Sequence, residues 1–303
     1  MRRGLIALVL LLSTLTSHAT AQDLEPRAYA ASPVGVRFIV AAFARSTGGV
    51  VTDPSLPVED VSAAVNSPVI GAGMTFALSG KTALATAVVP YAWASATGRV
   101  QEESRKATRS GLADPRFKLS VNLVGGDALS PREFAATPRS RNLLGVSLTV
   151  APPIGQYFPD KLINLGANRW SFKPEIGYSR ARNRWTLEGY LGTWLFTGND
   201  SFYPGESKRT QDPILSLQAH ASYTIKPRLW LAADGTWYVG GTTTVDGVDK
   251  ADLQRNSRLG TTLSLPLVDG QSLKLSYSTG ATTRVGGDFD TFGVAWQYSW
   301  SAN

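Results

Sequence analysis

LSLQAHASYTIKPRLWLAADGTWYV, residues 215–239, decides the fold. Leu215, Leu217, Ala219, Ala221, Tyr223 and Ile225 occupy every second place, with Ser216, Gln218, His220, Ser222, Thr224 and Lys226 between them. After Lys226-Pro227-Arg228 the rhythm resumes: Leu229, Leu231, Ala233, Gly235, Trp237 and Val239 alternate with Trp230, Ala232, Asp234, Thr236 and Tyr238. A period of two puts each set on its own face of a strand. Both runs exceed the usual soluble strand and suit a tilted strand of about ten residues that crosses a bilayer. One face meets lipid and the other something polar.

The alternation recurs along the chain. Approximately twelve strands are expected, at 33–45, 67–78, 81–97, 112–123, 142–153, 169–181, 184–197, 213–226, 228–241, 256–267, 271–283 and 289–300. Their connections come in two kinds that take turns. Ser79-Gly80, Arg182-Asn183, Lys226-Pro227-Arg228 and Val268-Asp269-Gly270 are short, while 46–66, 98–111, 154–168, 198–212 and 242–255 are longer and polar. That sorting matches the periplasmic turns and extracellular loops of an outer-membrane barrel. Residues 125–141 break the rule, through either a small periplasmic helix around Pro131–Ala135 or a miscount of strands, and fourteen strands stay open. Pro174 calls for a bulge, because a closed barrel has no edge to absorb a missing N–H.

Aromatic residues form a second pattern. Tyr91, Trp93, Trp170, Phe172 and Trp237 fall near the loop-side ends of outward faces, and Tyr178, Trp185, Tyr223, Tyr298 and Trp300 near the turn-side ends. Two such belts fit the two interfaces of a membrane. The final strand carries Phe292, Val294, Trp296, Tyr298 and Trp300 as one outward stripe, followed by Ser301-Ala302-Asn303.

The N-terminus reads as an export signal. Arg2 and Arg3, the apolar run Leu5–Leu12 and Ala19-Thr20-Ala21 form a leader over 1–21. The barrel is then 33–303, preceded by a periplasmic segment, 22–32, able to enter the lumen as a plug. With no cysteine, the chain has no disulfide and no thiolate metal site. The net charge of +7 falls to +5 once Arg2 and Arg3 leave, and the basic residues are scattered, against nucleic-acid binding and compatible with outer-membrane lipid.

The inward set contains Arg37, Arg116, Lys118, Lys173, Arg258 and Lys274, with Glu175, Glu188, Asp234 and His220. Such groups require water or mutual pairing, so they either line a conduit or form a packed polar network. Inward aromatics, Phe43, Tyr190, Trp194, Phe196, Trp230 and Tyr238, either offer a path to an apolar or aromatic solute or fill space around a plug. Catalysis finds little footing: His220 stands in Gln-Ala-His-Ala-Ser with no acid placed beside it, and a hydrolase needs a nucleophile, a base and an orienting group. Asp246, Asp249 and Asp252, or Asp288 and Asp290, lack a full calcium-loop pattern, so no metal or other cofactor is expected.

DLEPRAY (23–29), DPRFKLSVNL (114–123), PDKLINLGANRWSFKPEIG (159–177), DLQRNSRLG (252–260) and GGDFDTFGVAWQYSW (286–300) resemble the outer-membrane transporters filed under the MetA pathway of phenol degradation. The resemblance covers nearly all of the chain after the leader. It implies an all-β, transmembrane, antiparallel up-and-down β-barrel placed by the barrel-insertion machinery, and passage of small hydrophobic or aromatic compounds. It brings no functional residues and no oligomeric state. A structural or surface-interaction barrel with a plugged lumen is the alternative, and a barrel enzyme acting on lipid a third.

Overall fold

The computed structural model describes residues 24–52, 58–100, 103–161 and 163–301; the leader 1–21, with Gln22 and Asp23, lies outside them. Seventeen strands run along the described residues: β1 (Val36–Val51), β2 (Val58–Leu78), β3 (Lys81–Val100), β4 (Glu103–Leu112), β5 (Arg116–Val124), β6 (Asn142–Ala151), β7 (Ser171–Arg182), β8 (Trp185–Phe196), β9 (Asn199–Phe202), β10 (Ser207–Gln211), β11 (Ile214–Lys226), β12 (Leu229–Gly240), β13 (Thr243–Val245), β14 (Val248–Asp249), β15 (Gln254–Pro266), β16 (Gln271–Thr282) and β17 (Gly286–Ser301). β4 and β5 are one barrel strand interrupted at 113–115, since both pair with β3. Each neighbour is antiparallel, and β17 pairs with β1 to close a barrel of twelve strands. The expected fold and strand number both hold.

Alternation explains the faces. In β11, Ser216, Gln218, His220 and Ser222 are buried while Leu215, Leu217 and Ile225 are exposed. The exposed apolar side chains form the lipid face, because a bilayer is the solvent that rewards them. Trp93, Trp170 and Trp237 stand exposed toward one end, and Tyr178, Trp185, Tyr298 and Trp300 toward the other. Trp185 packs on Tyr223, and Trp296, Tyr298 and Trp300 stack in sequence.

Turn chemistry marks the short-turn end. Ser79 and Gly80 both take positive φ, 50° and 76°, as a two-residue hairpin requires. Asn183, Arg228 and Gly270 also have positive φ in the other three short turns. Residues 125–141 contain helix α1 (Pro131–Ala136), begun by Pro131 and a capping box in which Glu133 N donates to Ser130 Oγ and Ser130 N to Glu133 Oε2.

Two expectations about connections are corrected. The stretches expected as loops at 46–66 and 98–111 are mostly strand: β1 runs to Val51, β2 begins at Val58 and β3–β4 turn between Val100 and Glu103. Beyond the membrane there is no lipid face, so the apolar alternation fades while backbone pairing continues. At 21 residues β2 spans roughly 70 Å, more than twice the hydrocarbon thickness. The loops 198–212 and 242–255 contain β9–β10 and β13–β14, which pair with one another as a second, four-stranded sheet. Pro174 needs no bulge. It keeps register with Leu148, and pairing to β8 skips Lys173 and Pro174, then resumes in the same register at Glu175↔Gly192.

Candidate functional site

The barrel interior is divided. On the arc from β5 to β15 the inward residues are polar and packed, and residues 24–30 lie against them. Arg27 N donates to Glu188 Oε2 at 2.8 Å, and the Arg27 guanidinium reaches Ser222 Oγ at 3.1 Å and Thr224 Oγ1 at 2.7 Å. Ala28 N donates to Tyr190 Oη, which itself donates to Glu188 Oε1 at 2.8 Å. Tyr29 is 1 % exposed, and its hydroxyl donates to Glu175 Oε1 at 3.1 Å and meets Ser147 Oγ at 3.0 Å. Its ring lies edge-on to Tyr190, 5.1 Å between centroids. Gly145 and Gly177 make room: a Cβ on either would stand 2.2 or 2.1 Å from the ring. Glu175 of β7 and Glu188 of β8 are thus the two carboxylates that hold the segment.

Charges on this arc are neutralised locally. Lys173 lies 2.7 Å from Glu175 Oε2, and Lys118 donates to Glu25 at 2.6 Å while standing 4.0 Å from Glu175. Lys118 holds the Glu25 carboxyl down at about 2. His220 Nδ1 lies 2.7 Å from Asp234 Oδ1, and Asp234 Oδ2 accepts from Thr262. The pair is fully buried, and His220 Nε2 has no partner among the described residues. An acid is therefore placed beside His220, directly across the β11–β12 hairpin. Among the described residues no serine or threonine hydroxyl bonds Nε2, so the pair is not joined to the hydroxyl nucleophile of a triad. Arg258 donates to Phe289 O and Ser278 Oγ near the loop side, and Arg116 points inward from β5.

The inward aromatics are packed. Trp194, Ile214 and Tyr238 form a closed cluster with Phe196 against it. Tyr190 lies between Tyr29 and His220, and the Arg27 guanidinium covers Trp230 at 4.6 Å. None of the five borders the main cavity.

That cavity, about 560 Å³, lies between residues 24–28 and the opposite wall. The wall is made by Phe38, Val40 and Ala42 of β1, Val69 of β2, and Leu84 and Val88 of β3, with Lys118 and Lys274 reaching in from its flanks. On β1 the structure reverses the expected phase, which brings Phe38, Val40 and Ala42 inward in place of Arg37 and Phe43. Arg37 is exposed on the outer face, opposite Trp300 and Met74, and Phe43 is outward as well. Both faces of β1 are apolar through the membrane, so alternation does not choose between them. An arginine at the strand's end reaches the interfacial region rather than the lumen.

Above the barrel, Arg169 stacks on Phe196 at 4.2 Å and donates to Gln211, joining the 152–170 connection to β10 of the small sheet. Asp114, at the β4–β5 break, accepts from Gly155 N and Ala167 N and fixes the same connection. Among the described residues, no three His, Asp or Glu side chains gather as a metal site would require.

Comparison with known proteins places this architecture. A crystal structure of an outer-membrane channel from Pseudomonas putida superposes with a TM-score of 0.78 at 18 % identity, covering 92 % of this chain and all of that one. The transport unit of the autotransporter AIDA-I from Escherichia coli gives 0.50 at 10 % identity, covering 96 % of each chain. At these identities the likeness is one of fold, the outer-membrane barrel. No curated protein matches the sequence. The family model described as "Putative MetA-pathway of phenol degradation" matches residues 45–298, and the chain belongs to that family.

Proposed function

We propose that this barrel is an outer-membrane channel for the passive passage of small hydrophobic or aromatic organic compounds. One observation carries the reading: a cavity of about 560 Å³ inside a membrane barrel, walled by Phe38, Val40, Ala42, Val69, Leu84 and Val88. A barrel interior that handles only water and ions has no use for a mainly apolar wall, whereas a small organic solute gains by leaving water for it. The cavity volume falls in the range of small-molecule sites. Family membership and the barrel fold support the same reading.

In this scheme the polar arc is structural, and residues 22–32 act as a plug that narrows the lumen. The leader 1–21 is cleaved on export, and insertion machinery places the barrel. His220 and Asp234 brace two strands, and the protein is not an enzyme. The test is uptake of radiolabelled phenol-class and alkylbenzene solutes, beside a sugar of similar size, by liposomes that contain the purified protein and carry a lipopolysaccharide outer leaflet, which slows the unassisted entry of apolar solutes. Protein-dependent uptake of the aromatic solutes is expected. No uptake above protein-free liposomes would overturn the reading in favour of a plugged barrel whose activity sits in its outer strands and loops.

A further inference from the structure

One cation at the cavity forms no salt bridge among the described residues, and the carboxylate that acts on it, Glu25, is bound to Lys118. Lys274 is the fourth residue of β16, toward its short-turn end, between Ser264 of β15 and Ala295 of β17, and reaches into the cavity. Its ammonium is 5.8 Å from the Trp230 ring, and no carboxylate of the described residues pairs with it. The other lysines of the interior differ: Lys118 is bound to Glu25 and Lys173 to Glu175. Arg27, also at the cavity, is held by Ser222, Thr224 and the face of Trp230. Around the cavity three cations, Arg27, Lys118 and Lys274, face one carboxylate, Glu25.

The chemistry follows from the neighbours. While the cavity is wet, water solvates the ammonium. A ligand whose body covers the apolar wall displaces that water. If the ligand is neutral, the ammonium is left desolvated beside Trp230, and the loss opposes binding. An anionic end on the ligand replaces the water with a charge-assisted contact. Ser276 on the same face of β16, Thr262 across on β15, and Gln297 on β17 add polar groups around it. The apolar wall fixes where the ligand's body goes, and Lys274 fixes where its charge goes.

We propose that Lys274 selects amphipathic organic anions, monocarboxylates with an apolar aromatic or alkyl body, as the compounds the cavity takes. This rests on the channel reading, which makes the cavity the solute's path, and it narrows the solute class within it. Lys274 is the specificity-determining residue, and the wall of β1–β3 takes the apolar body.

The experiment compares 3-phenylpropionate with its neutral amide near pH 7, with the full barrel in nanodiscs of uncharged lipid and affinity read by titration calorimetry. The wild-type protein is expected to bind the carboxylate about tenfold more tightly than the amide. Lys274→Gln should bring that ratio close to one, and Lys274→Arg, which keeps the charge, should preserve it. Compact mobility of each unheated variant on gels checks that it has folded. A wild-type protein that binds neither compound or both alike, or a Lys274→Gln variant that keeps the preference, overturns the proposal. Liposome uptake of 3-phenylpropionate separates the two readings, because the anion crosses a bare bilayer slowly. Lys274-dependent binding without uptake overturns the channel and keeps the site; uptake indifferent to Lys274→Gln overturns the site and keeps the channel.

Discussion

Replacing Tyr29 with alanine should open the barrel. The ring is 1 % exposed, wedged over Gly145 and Gly177 against Tyr190, and its hydroxyl is shared by Glu175 and Ser147. Burying an aromatic side chain of this size removes about 150–250 Å² from water, worth about 4–6 kcal/mol. Water can refill a lumen, unlike a dry core, so about 3–4 kcal/mol is the better figure for the loss on truncation. Against docking stands the ordering of the nine residues 24–32, at about 1–2 kcal/mol each. The docked state is a small difference between large terms, and losing 3–4 kcal/mol shifts it roughly a hundredfold to a thousandfold toward release. Single-channel recording in planar bilayers should therefore show Tyr29→Ala dwelling in a higher-conductance state that the wild type visits rarely. Tyr29→Phe, which keeps the ring and loses the contact with Glu175, should fall between them. The wall supplies an independent test. Gly177→Ala puts a methyl 2.1 Å from the ring and should evict it, whereas Gly189→Ala, whose Cβ meets nothing closer than 3.9 Å, should not. If Tyr29→Ala and Gly177→Ala both conduct like the wild type, the segment does not restrict the lumen and the reasoning fails.

Three further outcomes follow from named contacts. Lys118 holds Glu25 at about 2, below its ordinary 4.5, so this ion pair supports docking fully above pH 4.5 and the support is lost as the pH falls through about 2; conductance should rise across that window, and Glu25→Gln should flatten the acid response. His220→Ala leaves Asp234 buried with Thr262 as its one remaining side-chain donor among the described residues, which should cost about 3–5 kcal/mol of barrel stability, read as a lower urea midpoint by gel mobility; His220→Ala with an unchanged midpoint would show that the pair is not a brace. Arg169→Ala removes both the stack on Phe196 and the bond to Gln211, so amides of 199–211 should exchange at least tenfold faster while those of β7 and β8 stay protected; equal exchange would mean that other contacts hold the small sheet down.

The barrel was legible because lipid and lumen impose opposite demands on alternate residues. β11 and β12 satisfy both at most positions from Leu215 to Val239, so their faces, turn and ends follow from the sequence alone. The His220–Asp234 contact was legible as well, though only by using register. A hairpin turning at Pro227 puts residue 220 opposite 234, and both stand in the inward set. Judged by its neighbours in sequence, His220 had no acid; judged by its neighbour across the hairpin, it had one. The upper halves of β1–β4 were hidden for the opposite reason. With no lipid above the belt there is no apolar face to read, and Thr, Ser, Gly and Ala pair as well as leucine does.

The functional wall escaped because it obeys neither rule. Phe38, Val40 and Ala42 face inward, and Ile39, Ala41 and Phe43 face lipid, so β1 is apolar on both sides. Arg37 then tips the reading toward the wrong phase. Closure resolves it: β17 carries an outward stripe of Phe292, Val294, Trp296, Tyr298 and Trp300, and these pair with Arg45, Phe43, Ala41, Ile39 and Arg37. Cross-strand partners share a face, so the stripe sets the phase of β1 once the first and last strands are known to meet. A strand apolar on both faces, inside a barrel whose other strands alternate cleanly, is then a signal in its own right. Lipid explains one apolar face and a water-filled lumen explains none, so the second face requires an apolar occupant. Tyr29 supplies one on the arc, packed on β6–β8, while beside β1 the described residues 24–28 line a cavity. In the channel reading proposed above the solute is that occupant, and Lys274 is proposed to set which end of it carries charge.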